Sequence, residues 1–248
     1  MAYDYKTGKR EVNEVLNSSI EIKDLGYIPS ESAFTYDNGV YAWVGSIFVD
    51  IVNSTALFKS DKLSKNNISR IIRSFVEQIV AIMNDNENHY EIGIRGDCVY
   101  GIFQADYQKT ILSIFRTAYT INTFIKMFNK LLSRNNLPSI SVGIGIGSNK
   151  DLVVKAGKKK ITHDMIWIGD AVVNASNLSQ IANRSYHDPI CMDITTYDNI
   201  ISLLKQENQN YSQWITKTTS PKYNGAFYQC DIVQTAYIDW INEGMKDE

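Results

Sequence analysis

The alternation of apolar strand-like runs with two long amphipathic patterns is the sequence feature that most constrains the fold. Tyr41–Ile51 is rich in β-branched and aromatic residues, which is typical of a buried central strand. Apolar residues recur at helical spacing over Ile68–Met83 and again over Ile111–Leu132, and these patterns predict two amphipathic helices. Between them, Tyr90–Ile94 and Val99–Phe103 have the composition of two short strands joined in a hairpin.

The second half of the chain continues to alternate between strands and helices. Strands are predicted at Ile140–Ile146, Asp151–Ala156 and Ile161–Ile168, and helices at Ala171–Asn183 and Thr195–Leu204. The resulting order of elements, βα–ββ–αβ, is that of a split βαβ unit. The sequence therefore predicts an α+β protein with a ferredoxin-like (βαββαβ) core and a C-terminal α/β extension.

The domain organisation follows from the chain length and from the position at which apolar residues begin. At about 150 residues per domain, 248 residues correspond to one or two domains. Residues 1–38 contain too few apolar residues for a domain, and we predict an N-terminal extension with a helix near Arg10–Leu16. One main domain is expected over 39–235, followed by a tail over 236–248.

Charge, hydropathy and cysteine usage exclude several classes of protein. The formal net charge of −2 gives no general attraction to nucleic acid, so no nucleic-acid partner is expected. No apolar run approaches the roughly 18–20 residues that span a bilayer, so no membrane span is expected. The N-terminus lacks an apolar signal core and the three cysteines are far apart, which favours a cytoplasmic location with reduced thiols.

The segment Phe48–Thr55 places a carboxylate at the end of an apolar strand. An ionised Asp50 is costly to bury unless a cation, a partner group or solvent meets it. The polar turn that follows contains Ser54 and Thr55, which are favourable N-cap residues, and free backbone amides at such a turn suit a phosphate. A simple capped strand terminus is the alternative interpretation.

A second carboxylate, Asp97, lies in the predicted hairpin, where Gly96 permits a tight turn. In a ferredoxin-like core this hairpin can lie beside the end of the first strand, so that Asp50 and Asp97 converge. With substrate phosphates they would form a Mg²⁺ or Mn²⁺ site, and a solvated turn is the alternative. Arg95 would share the face of Asp97 on a regular strand and could contact a base carbonyl or a phosphate.

Three glycines, Gly143, Gly145 and Gly147, share one face of a predicted strand because their spacing is two. A strand face without side chains permits the close approach of another backbone, a helix or a second subunit. Rossmann glycines have a different spacing, and the sequence contains no Walker A motif. Neither dinucleotide binding nor a P-loop nucleotidase is therefore predicted.

Taken in order, these motifs resemble those of the class III nucleotidyl cyclase catalytic domain, over about residues 40–235. The matching residues of the first three motifs are Phe48, Asp50, Ile51, Ser54 and Thr55, then Gly96 and Asp97, then Gly143–Gly147. The family motif G-D-x-V-N-x-A-x-R-L is matched in part, by Gly169, Asp170, Val172, Ala175 and Leu178. Within the family, the chain is most similar to the short pyrimidine cyclases of bacterial Pycsar anti-phage systems.

The resemblance implies an enzyme that converts a nucleoside triphosphate to a cyclic nucleotide and pyrophosphate, as a homodimer with active sites at the subunit interface. Two divalent metal ions, Mn²⁺ or Mg²⁺, would be bound by Asp50, Asp97 and the carbonyl oxygen of Ile51. The triphosphate would be held by backbone amides of one turn, made by Val52, Asn53, Ser54 and Thr55. On this basis 39–235 is a nucleotidyl cyclase catalytic domain.

The helix motif departs from the family pattern at two functional positions. The ribose-binding asparagine falls on Val173, although a slip of one residue would make Asn174 the ribose ligand. The transition-state arginine falls on Asn177, and no slip restores an arginine. Asn177 is therefore the candidate catalytic residue at this position.

The positions at which purine cyclases read the base fall on Gly93 and Ile166, so a standard purine pocket is not expected. A cationic donor such as Arg95 would favour uracil, which has a carbonyl at the position where cytosine has an amino group. We therefore predict UTP as substrate and 3′,5′-cyclic UMP as product, a second messenger in antiviral defence. A cytidylate cyclase that converts CTP to cyclic CMP, and a degenerate cyclase that acts as a nucleotide-binding regulatory module, are the alternatives.

Overall fold

The computed structural model describes residues 3–58, 63–158 and 162–246, so Ile161 of a predicted strand and the last two residues of the predicted tail lie outside it. The helices are α1 (Tyr5–Leu16), α2 (Ser54–Phe58), α3 (Lys65–Asn84), α4 (Gln108–Arg134), α5 (Asp170–Ser179), α6 (Ile194–Glu207), α7 (Tyr211–Trp214) and α8 (Thr235–Asn242). The strands are β1 (Glu21–Gly26), β2 (Asn38–Ile51), β3 (His89–Arg95), β4 (Cys98–Gln104), β5 (Val142–Lys158), β6 (Thr162–Ile168), β7 (Ile190–Met192), β8 (Thr216–Ser220) and β9 (Tyr223–Cys230). Within these described ranges, no helix is long and apolar enough to cross a membrane.

The described strands form one sheet whose main order is β3-β4-β2-β5-β7-β9-β8. In addition, β1 pairs in parallel with β2, and β6 pairs antiparallel with β5. The four strands β3-β4-β2-β5 are antiparallel to their neighbours, and together with α3 and α4 they have the order of a ferredoxin-like core. The α+β fold predicted from the sequence is confirmed, and β7–β9 with α6–α8 form the C-terminal α/β extension.

The strand β5 is longer than the sequence pattern predicted. Ile140–Ile146 and Asp151–Ala156 were expected to be separate strands, but one strand of 17 residues runs through both from Val142 onward. The reason is its partner: β2 is 14 residues long and pairs with β5 almost along its whole length. The polar residues Ser148–Lys150 continue this ladder instead of forming a turn.

The helices α3 and α4 cover one face of the sheet. The buried residues of α3 are Ile71, Phe75, Ile79 and Met83, which repeat at helical spacing. They pack in one core cluster with alternate residues of β2, namely Ile47, Val49 and Ile51. Each such buried side chain stabilises the fold by roughly 1.5–3 kcal/mol. Because successive strand residues point to opposite faces, Asp50 points away from these helices.

The helix α5 packs against the glycines of β5 on the opposite face. A Cβ atom on Gly143 would lie 2.1 Å from the carbonyl oxygen of Ser179, the last residue of α5. On Gly145 it would lie 2.0 Å from the Ala175 carbonyl oxygen, and on Gly147 it would lie 2.2 Å from that of Ala171. The backbones of helix and strand are therefore too close for any side chain larger than hydrogen. The sequence predicted that another backbone, a helix or a second subunit approaches this face of the strand. The structure shows a helix of the same subunit.

Both ends of the described chain are attached to the main domain. The helix α1 begins at Tyr5, earlier than the predicted Arg10, because the Asp4 carboxylate accepts hydrogen bonds from the Lys6 and Thr7 amides at 3.0 and 3.3 Å. The following strand β1 adds to the sheet beside β2. At the other end, α8 packs on α4, where the Nζ of Lys130 donates to the Ile241 carbonyl oxygen at 2.8 Å.

Candidate active site

Asp50 lies at the end of β2, opposite Cys98 of β4 on one side and Gly143 of β5 on the other. Its side chain is only 22% exposed. Burial raises the pKa of the Asp50 carboxyl above its usual range, while the charge of Arg184 and its hydrogen bond act in the opposite direction. As expected for a carboxylate that ends an apolar strand, Asp50 has a cationic partner.

That partner, Arg184, follows α5 and was not found by sequence reasoning. Its Nη2 donates to the Oδ2 of Asp50 at 2.5 Å. Its Nη1 donates to the carbonyl oxygens of Ser179 and Ala182, at 2.7 and 3.1 Å. Because 134 residues separate Arg184 from Asp50 and no local motif surrounds it, only the folded chain reveals the contact.

Asp97 lies in the two-residue turn between β3 and β4, where Gly96 has a φ of +64°. Burial is the main cause of the raised pKa of Asp50, and the negative charge of Asp97 adds to it. Burial likewise raises the pKa of Cys98 to about 12, with contributions from the charges of Asp50 and Asp97. Because Asp50 pairs with Cys98, the residue after Asp97, the two carboxylates lie at the same end of the sheet. Arg95 does not share a regular strand with Asp97, because β3 ends at Arg95 and the chain turns at Gly96.

The turn after β2 forms one wall of a cleft of about 490 Å³. Its lining residues are Asp50, Ile51, Asn53, Ser54, Thr55, Ala56 and Arg184. Asn53 has a φ of +56°, a conformation that asparagine tolerates better than most residues. Val52 was predicted to bind phosphate through its backbone amide. This N–H instead donates to the Ser141 carbonyl oxygen at 2.9 Å, so it is not free to bind phosphate.

The predicted residues of α5 line a second cleft, of about 450 Å³, which shares no lining residue with the first. Val173, Asn174 and Asn177 line it together with Asp193 and Lys222. The amide of Asn174 donates to the Oδ2 of Asp193 at 3.1 Å. Within one subunit, the structure does not place Asn174 or Asn177 in the cleft of Asp50.

The predicted base-reading positions lie in an aromatic region of the β3–β4 hairpin and β6. The Tyr100 ring lies over Gly93, where an added Cβ would be 2.3 Å from the ring carbon Cζ. Glu91 accepts hydrogen bonds from the Tyr100 hydroxyl at 2.8 Å and from the Trp167 indole at 3.0 Å. A lysine at position 93 would therefore have to displace Tyr100. Arg95, two residues further along β3, is exposed.

The donor set of the first cleft fits a hard divalent cation bound together with phosphate. Asp50 and Ile51 line this cleft, and Asp97 lies outside its lining, in the turn just before the Cys98 that pairs with Asp50. Carboxylate and carbonyl oxygens are the ligands that Mg²⁺ and Mn²⁺ prefer. No cluster of three or more His, Cys, Asp or Glu side chains suited to a metal ion occurs in the part of the chain that the structure describes. The remaining ligands of such an ion would therefore come from the substrate.

Comparison with solved structures defines the class of fold. The chain superposes on the adenylyl cyclase CyaB from P. aeruginosa with a TM-score of 0.59 and 15% identity, over 75% of this chain and 92% of that one. At this identity the likeness concerns the fold alone, which is that of a class III nucleotidyl cyclase catalytic domain. No protein-family model matches the sequence.

Comparison with curated proteins is more specific. A protein named uridylate cyclase from Treponema porcinum is 43% identical over 251 residues, which cover 100% of this chain and 84% of that protein. A second uridylate cyclase, from Gulbenkiania mobilis, is 26% identical over 252 residues, which cover 98% of this chain and 97% of that protein. The chain belongs to the uridylate cyclase family.

Proposed function

We propose that the protein is a uridylate cyclase that converts UTP to 3′,5′-cyclic UMP and pyrophosphate. The observation that carries the proposal is the 43% identity to a uridylate cyclase along the entire chain. The placement of Asp50 and Asp97 at one end of the sheet, with a polar turn after Asp50, supports it, because a cyclase needs charge stabilisation at the triphosphate. The cytidylate cyclase and the non-catalytic binding module are not favoured by any feature of the two clefts.

The chemistry is an intramolecular displacement at the α-phosphorus. The ribose 3′-oxygen forms a bond to this phosphorus, the bond to the bridging oxygen breaks with its electron pair leaving on pyrophosphate, and the hydroxyl proton passes to solvent. Asp50, Asp97 and the Ile51 carbonyl oxygen would hold two divalent ions. When bound, these ions would supply Lewis acidity that favours the 3′-alkoxide and neutralises the phosphate charge.

The triphosphate would lie in the cleft formed by the turn after β2. Asn53, Ser54 and Thr55 line this cleft, and backbone amides and hydroxyls of such a turn bind phosphate oxygens. Val52 is excluded from this role because its amide is bonded to Ser141. The turn would thus orient the α-phosphorus toward the ribose of the same nucleotide.

A homodimer with shared active sites would give the residues of the second cleft a role in catalysis. Asn174 and Asn177 lie apart from Asp50 in one subunit, so they reach a bound nucleotide only if a two-fold partner presents its α5 to the first cleft. Asn174 would then position the ribose, and Asn177 would take the position of the family's arginine. Analytical ultracentrifugation of the active enzyme should show a dimer, and a fully active monomer would contradict the shared site.

Base selection would depend on the region around Tyr100. The ring of Tyr100 occupies the space over Gly93 that a purine-reading lysine needs, and Arg95 offers donors to the carbonyl oxygens of uracil. An unpaired donor or acceptor that faces the wrong base costs about 1–3 kcal/mol, which is enough for tenfold selectivity. This arrangement supports UTP over the purine nucleotides and over CTP.

The enzymatic proposal is tested by incubating the purified protein with UTP and Mn²⁺ and identifying the products by mass spectrometry. We expect cyclic UMP and pyrophosphate in equal amounts. Asp97→Asn should lose the activity, whereas Asp239→Asn, a matched change on α8 that lines neither cleft, should keep it. Absence of any cyclic nucleotide under conditions in which a known cyclase is active would contradict the proposal.

The resemblance to the Pycsar cyclases supports a further part of the proposal, that the product acts as a second messenger in defence against phage. In the native host, replacing the wild-type protein by Asp97→Asn should raise the plating efficiency of a restricted phage. Equal plating efficiencies across a broad phage panel would contradict the defensive role. This outcome would leave the enzymatic proposal intact.

A further inference from the structure

Arg184 is the cationic side chain of the Asp50 cleft among the lining residues that the structure describes. Its side chain is 24% exposed, and both its Nη1 and its Nη2 donate to protein oxygens. Sequence motifs assign no role to this residue. The cleft otherwise presents one carboxylate, that of Asp50, and a polar turn.

Arg184 is held by backbone carbonyl oxygens as well as by Asp50. Its Nη1 is anchored by the carbonyl oxygens of Ser179 and Ala182 at the C-terminal end of α5, where helix carbonyls carry partial negative charge. The neighbouring Asn183 donates from Nδ2 to the Val142 carbonyl oxygen at 2.9 Å, which attaches the loop to β5. Two of the three hydrogen bonds described for the guanidinium are therefore independent of Asp50.

A divalent ion at the Oδ2 of Asp50 would compete with this contact. At 2.5 Å, the Nη2 of Arg184 occupies one direction of approach to Oδ2, and a second cation there would be repelled by the guanidinium. A triphosphate removes this conflict, because its negative charge can lie between the ion and the arginine. Guanidinium groups bind phosphate oxygens through two parallel hydrogen bonds, and an Nη2 released by Asp50 would supply one of these donors.

We propose that Arg184 is a substrate-binding residue that exchanges partners: it pairs with Asp50 in the metal-free site and with the triphosphate when metal and nucleotide bind together. The inference rests on the proposed function, since it takes a nucleoside triphosphate as ligand. The exchange discourages occupation of Asp50 by a metal ion alone and couples metal binding to nucleotide binding. Arg184 thus weakens the binding of a metal ion alone and strengthens the binding of the nucleotide in the presence of metal.

Two variants test these opposite effects without turnover. Arg184→Gln removes the charge but keeps an amide that can donate to the Ser179 or Ala182 carbonyl oxygen, and Arg184→Met removes both. Arg134→Gln is the matched control, since Arg134 also donates to a backbone carbonyl, that of Gly244 at 3.2 Å, at the far end of α4. Circular dichroism melting establishes which of the variants are folded.

Isothermal titration with Mn²⁺ alone should show binding to Arg184→Gln at least about threefold tighter than to the wild type, because a competing cation is removed. Titration of 3′-deoxy-UTP, which lacks the attacking hydroxyl, in saturating Mn²⁺ should show binding about tenfold weaker, because a charged hydrogen bond to phosphate is lost. Arg184→Met should change both affinities in the same directions, and Arg134→Gln should change neither.

Unchanged or weaker Mn²⁺ binding in the folded Arg184 variants would overturn the proposal, as would unchanged affinity for 3′-deoxy-UTP. Both measurements are made without catalysis. A wild-type protein that forms no cyclic nucleotide would therefore contradict the proposed function, while the exchange of partners at Arg184 would still be decided by the two affinities.

Discussion

Asp50 of β2 lies directly opposite Cys98 of β4, and this pairing brings two carboxylates to one end of the sheet. Asp97 immediately precedes Cys98, so a turn carboxylate has to lie beside the last residues of β2. Burial and the charges of both aspartates raise the pKa of the Cys98 thiol to about 12, which keeps it protonated and unreactive. The register of one strand pair thus positions the candidate metal ligands.

Asp50→Ala should lower turnover of UTP by at least roughly a thousandfold, about 4 kcal/mol of barrier, because it removes a proposed metal ligand. The fold should be nearly unchanged, since burial already disfavours the charge on this carboxylate. Steady-state kinetics and thermal unfolding measure the two effects. Activity within about tenfold of the wild type would show that Asp50 does not bind the catalytic metal.

Asn177→Ala should reduce turnover by less than about tenfold, because an asparagine amide carries no charge with which to stabilise the transition state as an arginine would. The kcat of the variant with UTP checks this expectation. If kcat instead falls by more than about a thousandfold, roughly 4 kcal/mol, Asn177 has taken over the catalytic role of the missing arginine.

Arg95→Met should lower the preference for UTP over CTP by about tenfold, because uracil loses a donor to its carbonyl oxygen. The ratio of kcat/KM for the two nucleotides measures this preference. Arg73→Met, an exposed arginine of α3, is the matched control and should leave the ratio unchanged. An unaltered ratio in Arg95→Met would remove Arg95 from base selection.

Gly145→Ala should destabilise the protein by about 1–3 kcal/mol or more, because the new Cβ would lie 2.0 Å from the Ala175 carbonyl oxygen and force α5 away from β5. Gly45→Ala is the control, since its Cβ would meet the Cδ1 of Ile114, a side-chain end that can rotate. Urea unfolding compares the two variants. A larger loss in Gly45→Ala than in Gly145→Ala would contradict the close packing of helix and strand.

Asp193 should make the free energy of unfolding depend on pH in the sense opposite to that of a paired surface carboxylate. Burial raises its pKa above the ordinary value of 3.8, so above that pH the folded state keeps a proton that the unfolded state has released. Its contribution to the free energy of unfolding therefore falls as pH rises through this window. The stability of wild type relative to Asp193→Asn, measured by urea unfolding between about pH 4 and pH 7, should decrease with pH. A relative stability that rises with pH would contradict the burial of the charge.

The ferredoxin-like core was predictable because its elements carry strong local patterns. The helical spacing of Ile71, Phe75 and Ile79 and the β-branched run of β2 depend only on nearby residues. The positions of Asp50 at a strand end and of Asp97 in a hairpin turn were predictable for a related reason, since each lies where a local pattern ends. The length of β5 was not predictable, because it is set by pairing with β2 and not by its own polar residues.

The parts of the site that sequence reasoning missed depend on contacts between distant segments. Arg184 reaches Asp50 only after α5 has packed on the glycines of β5, and the bond between Val52 and Ser141 requires the β2–β5 register. The placement of the Tyr100 ring over Gly93 likewise depends on cross-strand pairing. Such contacts leave no spacing signal in a single sequence.

Competition among equimolar ATP, GTP, CTP and UTP in the presence of Mn²⁺, with the cyclic products resolved by mass spectrometry, tests the central claim most directly. We predict that cyclic UMP is the main product, because the space for a purine-reading side chain at Gly93 is filled by Tyr100 and because Arg95, in our proposal, donates to uracil carbonyl oxygens. Cyclic CMP as the main product would contradict the role of Arg95. Predominant cyclic AMP or cyclic GMP would contradict the assignment of the protein as a pyrimidine cyclase.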